Sequence, residues 1–292
     1  MAAKSDMVQV REVFVPRKGW VFIQTDYEQL ELYTLAAICK KIFGFSDLSD
    51  ALAGGLDPHT ELGGVIGHHA PEEARALRAS GNKAFDAFRQ AAKVGNFGLP
   101  GGLGPDRFVD FAWGNYKVVI TKSEALSIKA AWMARWSEMK LYFEYINKIV
   151  RSGDPLICQF TGAVRGDAKY TNACNDGFQR LGAVVAKEAV FMVSRACYTG
   201  DAPGLPLGKS PLLGSRIVNF IHDEIITETL DNENAHDAAM EQARLMYLAA
   251  KIYLPEVTPK APPTLQRYWS KAAKAVFDTN GRLVPWGDKV VA

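Results

Sequence analysis

The chain has 292 residues, 48% of them apolar and 23% charged, with 34 Lys and Arg against 32 Asp and Glu. That composition excludes a disordered chain and a fibrous repeat. The net charge of +2 excludes a protein coated uniformly with basic charge for nucleic acid, although not a local basic face. The length is about twice the ~150-residue domain norm, so one large domain or two fused lobes are both allowed.

Charge is unevenly placed. Residues 1–100 sum to −1, residues 101–200 to +4 and residues 201–292 to −1. Arg75, Arg78, Lys83, Arg89 and Lys93 form a basic run opposed only by Asp86. Such a run is either a solvated helix face or a surface for phosphates. Cys39, Cys158, Cys174 and Cys197 lie too far apart for a CxxC pattern and read as buried apolar residues in a reducing compartment. The N-terminus has no apolar signal segment, and no stretch has the ~18 apolar residues of a membrane span, so a cytoplasmic protein without membrane partners is expected.

In chain order, residues 20–25 read as a short buried strand ending at Asp26, and 28–42 as a helix with Leu32, Leu35, Ala36, Ile38 and Cys39 inward. Residues 82–97 follow a helix-start signal at Ser80-Gly81-Asn82 and stop at Gly98-Leu99-Pro100-Gly101-Gly102. One helix is expected over about 123–150, strand and loop over 154–175, and a helix over about 177–198. The Gly/Pro-rich stretch 201–214 reads as a surface connection. Residues 216–221 and 224–229 flank a two-residue turn, His222-Asp223, which signals a β-hairpin. A helix over about 233–252 and a Pro-rich tail complete the chain. The expected class is α+β.

Asp26 at a strand end and Asp223 in a turn are each ordinary turn-formers. Held side by side at one sheet edge, they would offer the hard oxygen ligands that Mg²⁺ prefers alongside substrate phosphates. Arg89, Lys93 and Phe97 share one helix face at i, i+4, i+8. By itself that stripe reads as a solvated cationic face with Phe97 in the core. The alternative is two cations on a triphosphate and an aromatic under a base.

Read in order, these segments resemble the polymerase domain of family A DNA polymerases, the polymerase I and phage replicase group. Asp26-Tyr-Glu-Gln-Leu-Glu-Leu32 is similar to motif A, D-Y-S-Q-I-E-L. Arg89-Gln-Ala-Ala-Lys93-Val-Gly-Asn-Phe97-Gly98 is similar to motif B, R-x-x-x-K-x-x-x-[FY]-G, and Ile221-His222-Asp223-Glu224 to motif C, V-H-D-E. Asp57-Pro-His59-Thr60 resembles the D-x-H-x segment, and Asn175-Asp-Gly-Phe-Gln179 the N-x-x-x-Q segment. The motifs keep the family's order, with 67 residues from Asp26 to Lys93 and 130 from Lys93 to Asp223. Five ordered matches are far more specific than any one.

The resemblance implies an antiparallel palm sheet with mostly helical fingers: palm over 1–60, fingers over 61–150 and palm again over 151–292. Asp26 and Asp223 would hold two Mg²⁺ ions, which Mn²⁺ could replace, with Glu224 in support. Gln29, His59, Arg89 and Lys93 would grip the incoming dNTP, with Lys93 the proton donor to pyrophosphate. Phe97 would stack on the nucleotide, and Glu31 would exclude a ribose 2′-hydroxyl. Asn175 and Gln179 would reach the minor groove of the primer–template DNA, and His222 the primer terminus.

Three positions depart from the family pattern: Glu28 replaces a small residue, Tyr33 an Arg, and Gly101 the Tyr that follows the motif B aromatic by four. Arg11-Glu-Val-Phe-Val-Pro16 resembles the strand leading into motif A, while the thumb, the upstream palm segment and any 3′→5′ exonuclease have no counterpart in the sequence. The first expectation is therefore the palm and fingers chain of a split replicase, working with a second chain that carries the thumb and perhaps the exonuclease. A self-sufficient polymerase of low processivity and a non-catalytic DNA-binding remnant are the alternatives. Glu31 and Glu224 point to DNA rather than RNA synthesis.

Overall fold

The run Trp20-Val-Phe-Ile-Gln-Thr-Asp26 alternates between two buried faces and forms strand β1 (Trp20–Asp26) of the computed structural model, which describes residues 10–287. Helices α1 (Leu30–Phe43), α2 (Asp47–Ala53), α3 (Pro58–Ile66), α4 (Pro71–Ala79) and α5 (Lys83–Gly98) follow. After α6 (Pro105–Tyr116), α7 (Lys122–Arg135) and α8 (Glu138–Ser152) come two short strands, β2 (Leu156–Ile157) and β3 (Val164–Arg165), and the long α9 (Tyr170–Thr199). The hairpin β4 (Arg216–Ile221) and β5 (Glu224–Leu230), helix α10 (Ala235–Tyr253), and strands β6 (Pro263–Gln266), β7 (Val276–Phe277) and β8 (Leu283–Val284) end the chain.

The chain divides into two compact units, Met1–Glu28 with Ala183–Ala292, and Gln29–Gly182. The first is built on an antiparallel sheet of order β4-β5-β1-β6. Register sorts its faces. Val21, Ile23 and Thr25, opposite Thr229, Thr227 and Ile225, bear on α10, where the buried Gln242 amide donates to Thr25 Oγ1 (2.6 Å) and to the Ile225 carbonyl (3.1 Å). The other face carries Phe22 and Ile226, packed with Trp269.

The second unit is helical. Its helix starts follow capping chemistry: Ser46, Asp57 and Asn82 each accept a backbone N–H at the first turn, and Thr121 with Glu124 forms a reciprocal capping box. Proline stands at the first turn of α3, α4 and α6, where its missing N–H costs nothing.

Several expectations need correction. The single helix over 123–150 is two, α7 and α8, broken at Trp136. That residue leaves helical geometry (φ −114°, ψ 82°) to bury its ring and donate its indole N–H to Asn96 Oδ1 at 3.0 Å. The expected strand at Arg11–Pro16 is instead a 3₁₀ turn over Val10–Val13. Short α2, α3, α4 and α6 were not foreseen, nor was β6, whose Pro263 is tolerated because β6 is an edge strand. The basic run is also less open than its sequence suggests. Arg75 binds the buried Glu61 at 2.8 Å, and Arg89 binds Asp57 at 2.9 Å, so Asp86 is not its only counter-charge. All four cysteines are buried free thiols.

Candidate functional site

The first unit places three carboxyls at one end of its sheet. Asp26 pairs with Glu224 across β1 and β5, and Asp223 occupies the β4–β5 turn, where His222 takes a left-handed φ of 56°. The Asp26 and Asp223 carboxyls are in hydrogen-bond contact. Partial burial, the Asp223 charge and the Glu224 charge push the Asp26 carboxyl up to about 7, with Arg11 pulling it back. Asp26 nonetheless stays partly open to solvent at the sheet end.

Glu224 is differently placed. One of its oxygens accepts from Arg11 Nη1 (3.2 Å) and the other from the Trp269 indole N–H (2.9 Å). The Arg11 guanidinium also stacks 4.3 Å from the centre of the Trp269 ring. Both oxygens are thus engaged, which makes Glu224 a brace beside the aspartates. Sequence reasoning passed over Arg11 and Trp269, whose partners lie 213 and 45 residues away.

Two aspartates in contact at a sheet end suit a divalent metal. Among the described residues no group of three or more His, Cys, Asp or Glu forms a metal cage. Mg²⁺ does not require one, since it binds through one or two carboxylates plus water and substrate phosphates. The hard-oxygen donor pair fits that ion.

The second unit displays the α5 face. Arg89 is anchored by Asp57, the α3 cap, which also accepts from Thr60 Oγ1 at 2.7 Å and is held below the usual carboxylate range. Burial opposes that lowering, but the Thr60, His59 and Arg89 contacts outweigh it. Lys93, one turn on, forms no ion pair among the described residues and points past the Tyr116 ring, 6.0 Å from its centre.

His59 is 2% exposed and packs against Phe97, with ring centres 5.3 Å apart. Burial lowers its pKa to about 4; Asp57 opposes this, while Arg89 and Lys93 add to it. The ring is therefore neutral at pH 7. Asn96 stands 3.0 Å from His59 Nδ1, and its amide also donates to the Pro58 carbonyl at 3.1 Å. With Nδ1 accepting, the ring's proton lies on Nε2. Asn96 was missed from the sequence, though a polar residue in line with Ala92, Gly95 and Leu99 on the buried stripe was a usable signal.

Gln29 caps α1 in a left-handed conformation (φ 55°), and its side-chain oxygen is buried without a hydrogen-bond partner. Glu31 lies in the first turn of that helix. Asn175 and Gln179 line an open polar depression of about 620 Å³ with Arg165, Asn172, Asp176 and Arg180. Asp176 pairs with both arginines there, at 2.9 Å and 2.8 Å. Asn175 packs against Gly101, where an added Cβ would lie 2.8 Å from its amide nitrogen. A tyrosine at 101 does not fit unless Asn175 moves.

A family profile described as DNA polymerase family A matches residues 2–261. The chain belongs to DNA polymerase family A. It is 25% identical over 263 residues to DNA polymerase I of Aquifex aeolicus (strain VF5), covering 90% of this chain and 41% of that protein. It is 26% identical over 238 residues to DNA polymerase I of Bacillus subtilis (strain 168), covering 77% of this chain and 23% of that one. The chain thus spans well under half the length of either family relative. Its fold is similar to a solved structure described as the POL domain of Pol1 from M. smegmatis complex with DNA primer-template and dNTP. That match has a TM-score of 0.66 and 19% identity, over 89% of this chain and 42% of the other. No helix among the described residues is long and apolar enough to cross a membrane.

Proposed function

We propose that the chain carries out template-directed DNA synthesis, joining a dNTP to a primer 3′-hydroxyl with release of pyrophosphate. The observation that carries this reading is the contact between the Asp26 and Asp223 carboxyls at the end of the sheet, in a chain of this family. The first unit and its hairpin act as palm, and the α5 region as fingers.

Asp26 and Asp223 would hold the two Mg²⁺ ions, or Mn²⁺ in their place. When bound, the metal supplies positive charge that activates the 3′-hydroxyl and offsets the charge of the departing pyrophosphate. Glu224, fixed by Arg11 and Trp269, keeps the hairpin turn in place. His222 meets the primer terminus.

On α5, Arg89 binds triphosphate oxygens through the guanidinium N–H groups that Asp57 leaves open. Lys93 contributes charge and donates a proton to the leaving pyrophosphate oxygen. Neutral His59 supports Phe97 and offers its Nε2–H as an uncharged donor to the triphosphate. Phe97 stacks on the base, and Gln29 gives the triphosphate a further contact. Glu31 stands against the sugar and disfavours a 2′-hydroxyl. Asn175 and Gln179 reach minor-groove acceptors, which all base pairs share.

On this reading, duplex grip and any 3′→5′ proofreading belong to a second, thumb-bearing polypeptide. Extension of a labelled primer on its template with Mg²⁺ and dNTPs tests both parts of the proposal. The purified chain is compared with Asp223→Ala, alone and with a candidate thumb-bearing chain. Activity that needs the companion and is lost in the variant supports the split enzyme. Activity of the chain alone leaves polymerisation standing and contradicts the split. Absence of activity in both, from folded protein, contradicts polymerisation itself.

A further inference from the structure

We propose that Asn96, itself oriented by Trp136, is a positioning residue that fixes the His59 hydrogen on Nε2 and so keeps His59 an uncharged donor to the incoming triphosphate. The proposal rests on reading His59 as a contact of that triphosphate.

The orientation of Asn96 is set by groups that have no choice of role. The Trp136 indole N–H can only donate, and it reaches Asn96 Oδ1 at 3.0 Å. The Pro58 carbonyl can only accept, and it receives a hydrogen of Asn96 Nδ2 at 3.1 Å. Turning the amide over would set N–H against N–H on one side and oxygen against oxygen on the other. Asn96 and Trp136 are each 1% exposed, so both mismatches would fall in the core, where they cost most. The break between α7 and α8 at Trp136 is what delivers the indole to this place.

The second hydrogen of Nδ2 is left for His59, whose Nδ1 lies 3.0 Å away. Nδ1 must therefore accept, and the ring carries its hydrogen on Nε2. A second ring proton would meet the Asn96 N–H head on. Burial of the ring favours the same neutral state. The charges that reach the ring are Asp57 at the α3 cap, which favours the imidazolium, and Arg89 and Lys93 on α5, which oppose it. Arg75 from α4 and Arg135 from α7 are taken up by Glu61, at 2.8 Å and 3.2 Å. A donor that does not titrate offers the triphosphate one unchanging contact across the neutral range and leaves the charge to Arg89 and Lys93.

Asn96→Asp tests this. It keeps the size of the side chain and the acceptor for Trp136, but turns an oxygen toward Nδ1. Long-range ¹H–¹⁵N spectra of the full chain, labelled in histidine, read which ring nitrogen holds the hydrogen. His59→Gln identifies the His59 signals among the five histidines. The expected result near neutral pH is a hydrogen on Nε2 alone in wild type, and one on Nδ1 in Asn96→Asp. A wild-type ring with its hydrogen on Nδ1 overturns the proposal, whether or not the variant folds. A folded Asn96→Asp with Nε2–H alone overturns control by Asn96.

The second readout is single-nucleotide incorporation with the companion chain present. The dNTP KM of Asn96→Asp, divided by that of wild type at the same pH, should fall about tenfold between about pH 8 and about pH 6, as the variant's ring becomes a charged donor. The kcat ratio should stay level, and the trend should vanish when His59→Gln is added to both chains. A level KM ratio in chains that extend primers overturns the role in nucleotide binding and leaves polymerisation intact. A folded wild type that incorporates no nucleotide overturns the reading of His59 and the proposal with it.

Discussion

Asp26 stands opposite Glu224 in the β1–β5 ladder, and the residue preceding Glu224 in the turn, Asp223, meets the Asp26 carboxyl directly. Three carboxyls therefore gather at one sheet end, where Arg11 binds Glu224. The arrangement is costly to the empty fold and suited to a bound divalent ion.

Asp223→Asn should separate those two effects. Relief of like-charge crowding stabilises the metal-free protein by about 1 kcal/mol, after allowing for the exposure of Asp26. Mg²⁺ should raise the melting temperature of the wild type and leave the variant unmoved. Calorimetry with and without the metal checks both outcomes.

Trp269→Phe should destabilise the first unit by about 2 kcal/mol, because the buried Glu224 oxygen loses its indole donor and Arg11 loses its ring partner. Urea unfolding measures the loss. Glu224→Gln in the same background should recover part of it, since an amide oxygen is cheaper to leave unpaired than a carboxylate.

His59 gives the second unit a pH dependence. Its folded pKa of about 4 lies below the ordinary 6.5, so between those values the unfolded chain binds a proton that the folded chain refuses. Stability is then fully present above about pH 6.5 and is lost as pH falls toward 4. From pH 7 to pH 4.5 the loss is about 2 kcal/mol. Denaturant unfolding at the two values, compared with His59→Gln, should show that extra loss in the wild type alone.

Phe97→Tyr should ease the use of dideoxynucleotides, on the proposed stacking role of Phe97. A phenolic oxygen can replace the polar contact of the missing 3′-hydroxyl, which Phe cannot do. The preference for dNTP over ddNTP should drop by about tenfold. Competition between the two at a single template position reads it.

Gly101→Ala should act through Asn175. The new methyl displaces the Asn175 amide from the Thr171 carbonyl it now bonds at 2.8 Å, at a stability cost of about 1 kcal/mol. Asn175→Ala should cancel most of that cost. A double-mutant cycle with a coupling energy near zero would contradict the contact.

Local patterns made much of this legible. The short apolar run before Asp26, the 3.6-period stripe of Arg89, Lys93 and Phe97, and the hairpin around Asp223 each follow from a short window. The carboxyl contact needed both windows and the register that joins them. Arg11 and Trp269 stayed hidden because each acts on a partner far along the chain, and neither composition nor spacing marks it. The prolines at 58, 71 and 105 stand in the first turns of α3, α4 and α6, a local signal that the sequence reading left unused. The break at Trp136 was illegible because a buried bond to Asn96, forty residues away, outweighs the helical pattern on either side.

The central claim is nucleotidyl transfer at Asp26 and Asp223, and single-turnover incorporation tests it most directly. Enzyme in excess over a labelled primer–template, with the companion chain present, is mixed with one dNTP and Mg²⁺ and quenched over time. Primer elongation and released pyrophosphate should appear in equal amounts in the wild type. Asp26→Asn and Asp223→Asn should each slow that step by about a thousandfold, as loss of transition-state charge stabilisation implies. Elongation at wild-type rate in either folded variant would contradict the account.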